Sequence, residues 1–124
     1  IYYNGEEIGF NIFKEVVRRL NSRYDNLIWM KNSEIARYWA AKELTQISSQ
    51  GRRITFNAPF ATTRFTVRTK ANSVTAPRLT VGADRAELRR VTAPLQLKSQ
   101  TWHAEGPEVT LCFDLPKGKS TLEL

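Results

Sequence analysis

The sequence predicts an α+β fold: a short N-terminal α/β segment over 1–50, then an antiparallel β-sandwich-like domain over 51–124. Two observations carry this. The stretch from Leu27 to Ile47, LIWMKNSEIARYWAAKELTQI, packs an apolar run and a helical pattern into one turn-linked unit. After Gln50 the apolar period changes from about 3.6 to 2, and Gly, Pro, Asn and Asp turns then divide roughly six to eight short alternating runs.

In the first segment, Asn4-Gly5 marks a turn. Asn11 is placed to cap a helix running to about Asn21, with Phe13, Val16, Val17 and Leu20 on its apolar face. Leu27 to Met30 has strand length. Asn32 and Ser33 can cap a second helix, and Glu34 suits its N-terminus. Ala36, Ala40, Leu44 and Ile47 recur at helical spacing, and Ile35 and Trp39 widen that stripe. A stripe of this kind needs a partner, so Trp39, Leu44 and Ile47 are the expected contacts between the segment and the β domain.

Ser48 to Gly51 reads as a linker. Beyond it, Ile54 and Phe56 alternate with polar neighbours, and Pro59 ends that strand. Arg64 to Thr69, Leu79 to Val81, Glu87 to Val91, Leu95 to Leu97, Val109 to Phe113 and Leu122 to Leu124 supply further strands. One apolar face per strand is what two sheets packed face to face require.

The 124 residues carry a formal charge of +7, unevenly spread. Residues 1–50 hold seven Lys/Arg against six Asp/Glu, and residues 51–124 hold twelve against six. The basic residues are scattered as pairs and singles, and no recognition motif for nucleic acid accompanies them. No apolar run approaches the roughly 20 residues of a membrane span. No signal peptide is visible. The first residue is Ile1 and not Met, which predicts a processed or partial product that an export signal could have preceded.

Chemistry is sparsely signalled. Cys112 is the sole cysteine, set in an alternating strand where a small buried hydrophobe is expected. With His103 the sole histidine, no metal-ligand spacing exists, so no cofactor is expected in this chain. Phosphate loops and nucleophile elbows are missing too. The aromatic residues carry the one binding hypothesis, because sugar rings stack on aromatic faces. Trp102 stands in the polar context TWHAEG beside His103, and Tyr2 and Tyr3 adjoin the first turn. These four are the candidate carbohydrate-binding residues.

The order of elements from Arg19-Leu20 through Ile28-Trp29 to Asn32-Ser33-Glu34-Ile35-Ala36-Arg37-Tyr38 resembles the last elements of a NodB-like polysaccharide deacetylase. The resemblance covers at most residues 1–47. It implies that the first segment is the tail of a partial α/β barrel and that the catalytic domain lies upstream. That domain would hold a divalent metal on an aspartate and two histidines in an H-x-x-x-H arrangement. None of those motifs occurs here, so no catalytic role transfers to any residue. The expected role is then a non-catalytic region that supports or targets a carbohydrate-active enzyme on a cell-wall or extracellular polysaccharide, at the cell envelope or outside the cell. The rival reading is a structural or protein-binding β domain without glycan affinity.

Overall fold

The computed structural model describes residues 7–25, 27–71 and 74–124. Tyr2 and Tyr3 lie outside the described residues. The chain is α+β, a helical N-terminal segment followed by a multi-stranded β region. It divides into two compact units, Ile1–Met30 and Lys31–Leu124, so the helix that follows Met30 belongs with the β region.

The first unit holds helix α1, Ile8–Arg23. It starts three residues before the Asn11 cap that the sequence suggests, after Glu7 in a left-handed conformation. Its surface is pinned by charge. Glu15 accepts hydrogen bonds from Arg18 and Arg19, one turn on, at 2.7 Å each. Those two guanidinium groups hold the Glu15 carboxyl down to about 2. The Lys14 ammonium sits 4.4 Å from the Phe10 ring centroid. No residue of α1 is buried. Leu27 to Met30 is irregular chain and not a strand, and all four residues are exposed. The Trp29 indole N–H donates to Asn21 Oδ1 at 3.2 Å. A four-residue apolar run satisfies its backbone as a strand only beside another strand, and the described residues of this unit contain none.

The second unit opens with helix α2, Asn32–Leu44. The Lys31 N–H donates to Glu34 Oε2 at 2.7 Å, so Glu34 closes the N-terminus as expected. The following strands are β1 (Gln46–Gln50), β2 (Arg53–Ala58), β3 (Thr62–Lys70), β4 (Arg78–Val81), β5 (Asp84–Glu87), β6 (Arg89–Arg90), β7 (Thr101–Glu105), β8 (Glu108–Leu115) and β9 (Gly118–Glu123). One sheet runs β1-β2-β9-β4-β5 and the other β3-β8-β7-β6. All pairings are antiparallel except that of β6 with β7.

Two predicted segments take other forms. Gln46 to Gln50, read as helix end and linker, is β1, turned into β2 at Gly51-Arg52 with Gly51 at φ 59°. Leu95 to Leu97, read as a strand, is a 3-10 turn over Pro94–Gln96, with Leu95 exposed. Pro94 presets the turn's φ and removes a donor that a strand would need.

The core lies between the sheets. Phe56 of β2 meets Phe113 of β8 with ring centroids 5.5 Å apart in an edge-to-face arrangement, and Phe65 of β3 stands 6.2 Å from Phe113. Ile54, Leu79, Leu111, Leu115 and Leu122 complete the layer. Burial on β2 and β8 follows the predicted alternation. Helix α2 lies against β3 through Tyr38, whose ring stands 6.3 Å from that of Phe65, with Ala41 completely buried and Thr45 buried beyond it.

Candidate functional site

Of the four aromatic and imidazole candidates, Trp102 and His103 are neighbours on β7 and face opposite ways. Trp102 joins the core at 3% exposure, and the Arg90 guanidinium lies over its ring, 5.2 Å from the centroid. The indole is thus sealed on one side by the sheets and on the other by a cation. It offers no open face to a sugar ring, which corrects the expectation of a stacking platform. The polar letters of TWHAEG belong to the outward positions of the strand, while Trp102 takes an inward one. His103 is half-buried, its Nδ1 3.2 Å from the Val91 carbonyl oxygen.

Trp39 and Leu44 depart from expectation: they are 66% and 59% exposed, so they are not contacts of α2 with the sandwich. Ile47, 51% exposed, meets the β domain as a strand residue of β1 opposite Phe56 and not as part of the helical stripe. The side of α2 that meets β3 is Tyr38, Ala41 and Thr45. At about 100° per residue, Ile35 and Trp39 stand roughly a quarter to a third of a turn to one side of it, and Leu44 about a quarter turn to the other. Ala41 suits this contact. A methyl group lets the helix backbone approach the sheet, where a Trp or Leu would hold it off.

The strand edges form the first notable surface. An open edge invites pairing with another chain unless charge, proline, a bulge or shortness blunts it. β5 (DRAE) is charged throughout its outer positions, and β6 is two arginines long. β3 is bulged between Thr62 and Phe65 and carries Arg64, Arg68 and Lys70. At that bulge Arg64 takes φ 53°, and its N–H donates to Asp114 Oδ1 at 2.9 Å, an oxygen that also accepts from Ser99 Oγ. β1, QISSQ, has none of these protections. All five of its residues are exposed and uncharged, in unbroken register with β2. Ile47 is paired with Phe56 and shares its face, yet lies half out of the core.

The second surface is an open depression at the β6 end of the other sheet, lined by Arg89, Arg90, Val91, Thr92, Gln96 and Lys98. Sequence reasoning passed over it because the arginine pair and Lys98 are separated by the stretch misread as a strand. The 3-10 turn folds that stretch back and brings them together.

Cys112 is buried, as expected, and burial raises its thiol pKa, which keeps it protonated and unreactive. Among the described residues no three His, Cys, Asp or Glu side chains gather where they could hold a metal ion. Among them, too, no helix is long and apolar enough to cross a membrane. No family model, curated protein or solved structure matches the chain.

Proposed function

We propose that this chain acts as a protein-binding β-sandwich domain that recruits an extended segment of a partner to the edge strand β1. The observation that carries the reading is β1 itself: five exposed, uncharged residues in regular register on a molecule whose other three sheet edges are blunted. Edge addition supplies affinity through main-chain hydrogen bonds and specificity through alternate side chains. Ile47, on the core-side face of β1, is the apolar anchor of such a contact, and Leu44, one turn earlier, lies beside the strand's start in sequence. The glycan-targeting role loses its principal support with the burial of Trp102, and the deacetylase resemblance covers at most residues 1–47.

Site-specific photocrosslinking in the cells that make the protein tests this. A photoreactive residue at position 47 or 49 is expected to give discrete protein adducts. The same group at position 85 on β5 should give none, and Ser48→Lys should abolish those at 47. Adducts that are absent at 47 and 49, or equal at all positions, would sink the reading. So would saturable binding of a polysaccharide by the purified chain with quenching of tryptophan fluorescence, which would restore the glycan role.

A further inference from the structure

We propose that the depression beside β6 is a binding site for a tetrahedral oxyanion, a phosphate or its monoester, held by Arg89, Arg90 and Lys98. Three cationic residues line it, and no acidic residue does. None of the three enters an ion pair among the described residues, whereas Arg18, Arg19, Arg53, Arg68 and Arg78 all do. Unpaired cations drawn together repel one another, and an anion between them removes that cost.

The frame around the cations is fixed by hydrogen bonds. Arg89 N–H donates to the Gln100 carbonyl at 2.9 Å, and Val91 N–H to the Trp102 carbonyl at 2.8 Å, which anchors β6 to β7. Lys98 is tied at both backbone groups to the buried Thr101 hydroxyl: its N–H donates at 2.9 Å, and its carbonyl accepts at 2.6 Å. Across the loop, Gln96 Oε1 accepts from the Thr92 N–H at 3.2 Å and from the Thr92 hydroxyl at 3.0 Å. That use of the oxygen leaves the Gln96 amide NH₂ as a donor. The Arg90 guanidinium is held in place over Trp102. Arginine forks and amide donors match the oxygens of a phosphate, and a preorganised set loses less entropy on binding.

Amide NMR titration of the whole chain tests this, with inorganic phosphate as the probe and sodium chloride at matched ionic strength as the reference. Phosphate is expected to give saturable shifts confined to residues 89–103. The double variant R89Q/K98Q, at exposed positions, should weaken phosphate about tenfold or more, a loss of charge-assisted bonds. R68Q/K70Q on β3 should leave it unchanged. Vesicles with and without phosphatidic acid then separate the sources. Binding to the acidic vesicles that R89Q/K98Q abolishes assigns a lipid headgroup, and phosphate saturation without vesicle binding assigns a soluble anion. Shifts that follow ionic strength alike for chloride and phosphate would overturn the proposal. Equal losses in the two double variants would overturn it too. If R89Q/K98Q failed to fold, shifts of the native protein centred away from residues 89–103 would still refute the site.

Discussion

Trp39 and Trp102 are the two indoles of the second unit, and they exchange the positions that their sequence contexts suggest. Trp39 sits in an apolar helical stripe and stands in solvent, while Trp102 sits among polar letters and is sealed into the core. The difference lies in what fixes a face. On β7 the pleat leaves two choices, and the pairing with β8 settles them, since Trp102 opposes Leu111 and must share its side. A helix on a sheet has a continuum of rotations. On α2 apolar residues are spread around the axis, and of its three alanines it is Ala41 that lies at the contact.

Four substitutions sharpen that contrast and extend it to α1. The largest effect belongs to the sandwich. Phe113→Ala removes a ring packed against both Phe56 and Phe65 and should cost about 3–5 kcal/mol in denaturant unfolding. Trp39→Ser, although it deletes a larger side chain, should stay within about 0.5 kcal/mol. Comparable losses would mean that Trp39 is covered in solution. Next, Ala41→Leu forces a larger group under α2 and should cost about 1–3 kcal/mol by overpacking. A neutral result would show that the helix does not rest on β3. The smallest effect is local to α1. The Glu15 pKa lies below its ordinary value of 4.5, so the ion pairs favour the helix fully above that pH and are lost as the pH falls toward about 2. Because the pairs are exposed and screened by solvent, circular dichroism should show only a small loss of helix signal across that window, and Glu15→Gln should remove that component. An unchanged titration in the variant would assign the loss elsewhere.

Much of the β domain was legible from residues alone. The alternation of Ile54 with Phe56 and of Val109, Leu111 and Phe113 is a two-state signal, and Pro59 ends β2 where it stands. What escaped were segments whose conformation depends on distant partners. β1 has polar letters at four of its five positions and becomes a strand because β2 folds back on it. Leu27 to Met30 has the letters of a strand, and the described residues of its unit contain no strand to pair with. The Leu95 turn and the depression it shapes were hidden together, because two leucines spaced by one residue satisfy a strand period as readily as an irregular loop. The candidate surfaces were therefore less visible than the core. An edge strand and a cation cluster are defined by what is missing around them, and no local pattern records that.

One feature of the topology bears on how the molecule is made. β9 lies between β2 and β4, joining the β1-β2 hairpin to the β4-β5 hairpin. During synthesis the ribosome delivers both hairpins long before Gly118–Glu123 emerges, and until then each waits with one flank unbridged. Until then the first sheet is two half-sheets, and Leu122 of β9, opposite Ile54 on one flank and Leu79 on the other, is the residue that closes the seam.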